Sequence, residues 1–518
     1  MRLEKFRVSN FRSILAETLE CDPLTVLVGR NGAGKSAFLH ALRLFFEQAS
    51  SPTAEDYFNR EGTRQIQLEA TFAELTPEEK AEFQSSLNGD RLVVQRRFPG
   101  GEYFAQSIGC EELEPIREKQ RRKAKVGEVA QALKELVDTD KFSGLQAVGK
   151  SIDEELVRWE KENPSRCKPY FRAGLFQGPT NIAGGKMRNR THFVYVPAVR
   201  EAEVDASGAS KQSPLGALVA PLVQSIAEKN EAVKTARQTL EGQYTTYKTA
   251  MEQAKEKESL ETGLTKLLQR YEEDASAKIQ LDLDEKLQVP SPKPKVWLKE
   301  DGFDGEVARK GHGLQRLFIF TILELYEKFR AGLVDETNDS TMVLAIEEPE
   351  LYQHPARSRA IAKILADLAF AKGKGLRFQV FFTTHSPYFV NLDRFDCVRR
   401  AEKSPVKNAP METKLRRTSL KQVGDSVLKA LGKNVEATET SSWARLKSVL
   451  GIRGSEGFFA DGIILVEGQE DEAVLAAYAD SCGVSLDPEG LAIIPTEGKT
   501  KIPALMALYS HLGIPLFT

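Results

Sequence analysis

Leu24-Thr25-Val26-Leu27-Val28-Gly29-Arg30-Asn31-Gly32-Ala33-Gly34-Lys35-Ser36 decides the reading of this chain. Leu24 to Gly29 is a short apolar strand, and Phe38-Leu39-His40-Ala41-Leu42 opens a buried helix. Between them, Gly29 to Ser36 satisfies G-x-x-x-x-G-K-[ST] at every fixed position, in the strand–loop–helix context the motif requires. Glycines let backbone N–H groups of Asn31, Gly32, Ala33 and Gly34 turn inward around phosphate oxygens. The helix N-terminus adds partial positive charge. Lys35 reaches the β- and γ-phosphates of a nucleotide triphosphate, and Ser36 supplies a hydroxyl to Mg2+. A tight turn with a chance lysine would not need all three elements.

Three further stretches extend this site. Val343 to Pro355 (VLAIEEPELYQHP) puts Glu347 and Glu348 at the end of an apolar strand. A strand buried on both faces carries charge only where it exits into a polar site. Glu347 would complete the Mg2+ shell and Glu348 would polarise an attacking water; the bland alternative is an acidic turn. Arg309 to Phe320 (RKGHGLQRLFIF) sets Gly311, Gly313 and Gln315 at a helix start, a second phosphate nest or merely a flexible start. Thr383 to Pro387 (TTHSP) closes another buried strand, leaving His385 to bond a γ-phosphate or to serve structurally.

In this order the four stretches resemble the ATP-binding-cassette ATPases of the chromosome-maintenance and RecF type. Gly29 to Ser36 resembles Walker A, Gly311 to Arg316 sits at the signature motif, and Val343 to Glu348 resembles Walker B with Glu347 in place of Asp. Pro349 to Pro355 resembles the D-loop region, His385 the switch histidine, and NFRSI from Asn10 the first strand of such heads. The resemblance covers about residues 1–400. It implies ATP and Mg2+ as cofactors, Gly313 and Gln315 as nucleotide contacts, and a homodimer or higher oligomer in which one head's signature loop completes another's site. Gln48 and the Asp56-Tyr57-Phe58 stretch both remain open for the glutamine-loop role.

At the C-terminal end, Gly462-Ile463-Ile464-Leu465-Val466-Glu467-Gly468 is a strand ending in Glu-Gly, with Glu470 and Asp471 on the next helical turn. Such an arrangement makes half of a two-metal centre, or simply an acidic helix start that the dipole favours. The residues resemble a Toprim domain. Glu467 and Asp471 would be its metal ligands, Glu467 also catalytic, and Gly498-Lys499 after LAIIPT matches its second loop. An ATPase head joined to a Toprim domain resembles the OLD (overcoming lysogenization defect) family of nucleases, with members in bacterial defence against phage. That resemblance implies a metal-dependent DNA endonuclease using Mg2+ or Mn2+. Toprim nucleases carry an Asp-x-Asp pair after the third strand, which begins here at Gly513 to Thr518. The expectation is a shortened or split product, or a second chain completing the centre.

The rest of the chain bounds these readings. The 518 residues are 41% hydrophobic and 28% charged with net charge −2, which excludes disorder as the main state and gives no global argument for nucleic acid. Mean hydropathy is −0.36, and no apolar run of the roughly 18 residues needed to span a membrane occurs. The start has no signal-peptide core, the five cysteines are scattered without CxxC, and a cytoplasmic location is expected.

The expected fold is α/β: an ABC-type ATPase head with an inserted long helical arm, then a partial Toprim domain. Residues 1–205 form an N-terminal lobe, a mixed sheet with one helix after its second strand. Residues 206–295, free of proline from 222 to 289, form the arm, with Gly242 and Gly263 as breaks and no clean heptad seam. Residues 296–400 form the C-terminal lobe, 401–455 linker helices, and 456–518 the partial Toprim domain. The basic run IREKQRRKAK from Ile116 is a solvated helix face or a DNA contact.

The leading function is an ATP-regulated OLD-type endonuclease. The alternative is an ATP-switched DNA-binding or sensor scaffold whose nuclease is supplied by a partner. A transporter ATPase subunit is disfavoured by the Toprim-like segment, and a topoisomerase or primase by the ATPase head.

Overall fold

The computed structural model describes residues 1–48, 50–121, 126–137, 142, 144–145, 152–173, 187, 190–198, 214–279, 295–333, 340–371, 376–390, 392–430, 432 and 452–518. They fall into two compact units. The first joins residues 1–201, 311–328 and 336–518; the second joins residues 202–310 and 329–335.

The first unit opens with β1 (Arg2–Phe11), β2 (Ile14–Glu20) and β3 (Leu24–Val28), then α1 (Lys35–Phe46). β4 (Ile66–Ala73), α2 (Pro77–Glu82), β5 (Leu87–Asn88), β6 (Arg91–Phe98) and β7 (Glu102–Gly109) follow. Next come α3 (Glu114–Arg121), α4 (Val126–Val137), α5 (Ile152–Glu162), β8 (Lys168–Ala173) and β9 (Thr191–Val196). The opening is therefore two sheets rather than one. β2-β1-β4-β6-β7-β8, with β5 on β6, is antiparallel, whereas β3 belongs to a second sheet. The helix follows the third strand rather than the second; the extra strand, Ile14–Glu20, buries only two residues and gives a weak alternating signal.

α1 packs between the sheets. Phe6 and Val8 of β1, Phe38, Leu42 and Phe45 of α1, and Leu27 of β3 lie in one buried cluster. Ile66, Leu68, Ala70 and Phe72 alternate inward on β4, as period two requires. A smaller core under α3–α5 gathers Leu113, Ile116, Leu133, Leu156 and Trp159. There Arg117, from the basic run, is buried and paired with Glu160 at 2.8 Å, so this member is structural; residues 122–125 of the run lie outside the described residues.

The second unit contains α6 (Pro214–Lys229), α7 (Glu231–Glu252), α8 (Lys255–Leu268) and a hairpin of β10 (Trp297–Glu300) and β11 (Phe303–Glu306). Its helices do not break at the glycines: α7 runs through Gly242 and α8 through Gly263. The breaks fall at Asn230, whose side chain accepts from the N–H groups of Ala232 and Val233 and caps α7, and at Gln253–Ala254 between α7 and α8. Leu260, Leu264, Leu267 and Tyr271 recur at spacings of four, three and four, and all are exposed.

α9 (His312–Leu333), β12 (Thr341–Glu347), α10 (Pro355–Phe370) and β13 (Arg377–Thr383) lead to β14 (Val398–Val406) and β15 (Ala409–Arg416). The second sheet has the order β15-β14-β3-β13-β12-β9, parallel except for the β14–β15 pair. β12 is buried at every position, as a strand covered on both faces must be. The stretch read as linker helices thus begins with two strands. β14 was illegible because Arg399 and Arg400 interrupt its apolar pattern. Arg399 is buried by bonding Asp22, the Glu20 carbonyl and the Asp396 carbonyl, and Arg400 by bonding Glu402 and the Leu512 carbonyl.

α11 (Leu420–Ala430) and α12 (Ile452–Glu456) precede β16 (Gly462–Val466), α13 (Gln469–Ser481), β17 (Leu491–Pro495), α14 (Ile502–His511) and β18 (Leu516–Phe517). The last three strands form a parallel sheet, β17-β16-β18, which agrees with the Toprim-like expectation. Among the described residues no helix is long and apolar enough to cross a membrane.

Candidate functional site

Parallel pairing places the ends of β3, β9, β12 and β13 along one edge. Glu347 is level with Thr383, which is level with Leu27, and Val196 is level with Ile346. The phosphate loop, the two glutamates, the His385 loop and Pro197–Ala198 therefore emerge together, at the carboxyl ends of strands where open parallel sheets place ligands.

The loop's backbone is held from behind by β14 and β15. Gly29 lies in the left-handed region at φ 132°, and a Cβ there would sit 2.3 Å from the Ala401 carbonyl oxygen. Gly34, at φ 102°, leaves room for Thr413 and Ser13. Thr413 donates to the Ala33 carbonyl at 2.9 Å, and its hydroxyl meets that of Ser13 at 2.7 Å. Asn31 and Gly32 are exposed at the loop's tip. Lys35 is buried and donates to the carbonyls of Gly29 and Arg30, each at 2.9 Å. Burial pulls its ammonium down to about 8, against the opposing pull of Glu348 and Glu350.

Across the edge, Glu348 occupies φ 43°, a left-handed conformation costing roughly 1–2 kcal/mol for a non-glycine residue. Its N–H donates to the Thr383 carbonyl at 3.0 Å, and its carboxylate lies 3.9 Å from His385 Nε2. Burial and the Lys35 charge hold His385 below the ordinary imidazole value. Lys35, Glu348 and His385 are thus brought together. Ser36, on the first turn of α1, and Glu347 meet the same edge; Glu347 Oε2 accepts from Ala198 N–H at 3.2 Å, while Oε1 is buried without a hydrogen-bond partner.

Gly313 and Gln315 stand at the start of α9. Gly313 faces Tyr352, and Gln315 is buried. The next residue, Arg316, donates to the carbonyls of Pro197, Ala198, Glu347 and Glu348 at 2.7–3.1 Å. It ties the helix start to the ends of β9 and β12. Asp56 binds Arg12 and Tyr57 bridges Phe11 beside the loop, whereas Gln48 gives its carbonyl to Arg96.

Residues 1–143 and 185–390 match the AAA ATPase domain family, and residues 458–518 match the overcoming lysogenization defect protein-like TOPRIM domain. The chain is 21% identical to the Old nuclease of Escherichia phage P2, covering 99% of this chain and 76% of that one. It is 21% identical to the OLD nuclease of Thermus scotoductus, covering 99% and 80%. This chain belongs to the AAA ATPase domain family and carries an overcoming lysogenization defect protein-like TOPRIM domain. Residues spanning 32% of it are also 25% identical to Endonuclease GajA of Bacillus cereus, over 23% of that protein.

The Toprim edge of this AAA-family chain is a separate place. Glu467 is exposed at the end of β16, and Asp471 accepts the Gly468 N–H at 3.0 Å as a helix cap. Gly498 N–H donates to the Glu467 carbonyl at 2.9 Å, so the second loop is laced to the first. The opposite end of β16 approaches the phosphate loop, where Asp461 pairs with Arg30 at 3.2 Å. Six residues at about 3.3 Å each set Glu467 about 20 Å further along.

Sequence reasoning missed Glu350, Arg316, Thr413 and His40. Glu350 accepts from His385 N–H at 2.7 Å and Thr384 Oγ1 at 2.9 Å, and burial pushes its carboxyl up. Its place in Glu-Glu-Pro-Glu was the available signal. Thr413 gave none, lying nearly 400 residues from its partner Ala33.

Proposed function

We propose that this chain binds and hydrolyses ATP and is a metal-dependent DNA endonuclease of the OLD family, in the cytoplasm, acting in phage defence or DNA processing. The convergence of Lys35, Glu348 and His385 at one strand edge carries the ATPase part. The main-chain N–H groups of Asn31 to Gly34 and Lys35 bind the phosphates, with Lys35 exchanging the loop carbonyls for phosphate oxygens. Glu348 orients the attacking water and accepts its proton, and His385 meets the γ-phosphate. Gly313 and Gln315 contact nucleotide across a homodimer or larger assembly, for which the exposed leucine face of α8 is the proposed seam.

The donors near the loop fit Mg2+. The Ser36 hydroxyl and the orphaned Glu347 oxygen are hard oxygen ligands, and among the described residues no group of three or more His, Cys, Asp or Glu could hold a metal alone. Mg2+ keeps waters and takes one or two protein oxygens beside substrate phosphates. When bound it neutralises charge building on the phosphoryl oxygens. At the Toprim edge, Glu467 and Asp471 would hold Mg2+ or Mn2+, with further ligands from another chain or segment.

The nuclease part rests on the nuclease-named relatives and the Glu467 strand end. Nicking of supercoiled DNA with Mg2+ or Mn2+ tests it. The expected result is nicking by the parental protein that falls at least about 100-fold in Glu467→Ala while ATP turnover persists. Equal nicking by both would remove the Glu467 assignment. No nicking by either would favour the ATP-switched DNA-binding scaffold.

A further inference from the structure

We propose that His40, with Tyr195, is a positioning residue that fixes the Glu347 carboxylate for the nucleotide-bound metal; this rests on reading the edge as a nucleotide–metal site. His40 lies four residues after Ser36, so both project from one face of α1. That helix packs on β9 and β12, whose register sets Tyr195 level with Ala345, two residues before Glu347. His40 Nε2 is 3.6 Å from Glu347 Oε1 and 3.5 Å from the Tyr195 hydroxyl. The Tyr195 ring is itself held, with His40 at 5.5 Å between ring centres and the Arg43 guanidinium 5.1 Å over it.

Glu347 is therefore restrained on two sides, by Ala198 N–H on Oε2 and by the His40–Tyr195 pair beside Oε1. A buried carboxylate oxygen without a hydrogen bond is costly unless a cation arrives. An imidazole too distant for a full bond orients that oxygen without consuming it. Such outer partners of metal ligands typically change metal affinity by about 10- to 100-fold when removed. His40 could otherwise simply fill the space between α1 and Tyr195, and then its loss would act on packing alone.

The test is ATP binding by the full chain, measured across Mg2+ concentrations and again in EDTA, for the parental protein, His40→Ala, His40→Gln and Tyr195→Phe. His40→Ala should raise the half-saturating Mg2+ about 10-fold and leave affinity in EDTA unchanged. His40→Gln, which keeps a donor, should recover part of the shift, and Tyr195→Phe should move it the same way by less. Unchanged Mg2+ dependence in His40→Ala overturns the proposal, as does an equal loss in EDTA. If His40→Ala does not fold, the Gln and Phe variants decide by the same readout. A parental protein with no Mg2+-dependent ATP binding would instead overturn the nucleotide-site reading itself.

Discussion

Lys35 sits in the phosphate loop with its ammonium turned onto two carbonyls and held at about 8 by burial. A lysine is charged below its pKa, and a polyphosphate raises that pKa by favouring the charged form. ATP affinity should therefore be flat below about pH 8 and weaken as pH rises above it. Titration calorimetry across that range checks this, and Lys35→Ala should lack both the binding and its pH dependence. Lys35, Ser36, Glu347, Glu348 and His385 were legible because each ends a strand or opens a helix with an unmistakable apolar flank. Arg316, His40 and Thr413 were not. Their roles come from tertiary neighbours, and a buried arginine after Gln315 reads on paper as ordinary helix.

Elements show the same division. β12 and β13 announce themselves as continuous apolar runs. β14 does not, because Arg399 and Arg400 are buried only through Asp22, Glu402 and the Glu20 and Leu512 carbonyls; β15 does not, because it buries only one residue, Thr413. This strand pair backs the phosphate loop, which makes a sharp contrast between two glycines of one motif. Gly29→Ala meets the Ala401 carbonyl as well as an unfavourable φ, whereas Gly32, at φ 74°, has nothing within 4 Å of the added carbon. Gly32→Ala should cost about 1 kcal/mol and Gly29→Ala about 2–4 kcal/mol of unfolding free energy. Urea titration of both variants checks the order; equal values would mean that β14 does not buttress the loop.

At the scale of the whole molecule, an α/β ATPase head with a Toprim-like sheet was readable from motif order. The arm was readable as helix but not by its breaks, which fall at the Asn230 cap and at Gln253–Ala254, while both glycines lie inside helices. Its exposed stripe of Leu260, Leu264, Leu267 and Tyr271 is the kind of face a second copy would cover. Leu260→Glu with Leu264→Glu should convert the proposed dimer to monomer without changing the melting of the head, read by light scattering with mass resolution. A parental monomer, or an unchanged mass in the double variant, would move the seam elsewhere.

The central claim is that a nucleotide triphosphate is gripped by the Gly29–Ser36 loop and hydrolysed under Glu348, which the sheet brings to the same edge. Comparing ATP binding and turnover of the parental protein with Glu348→Gln tests it most directly. The account predicts Mg2+-dependent binding close to parental in Glu348→Gln, with turnover reduced at least about 100-fold. Parental-rate hydrolysis in that variant, or no ATP binding by the parental protein, would contradict it.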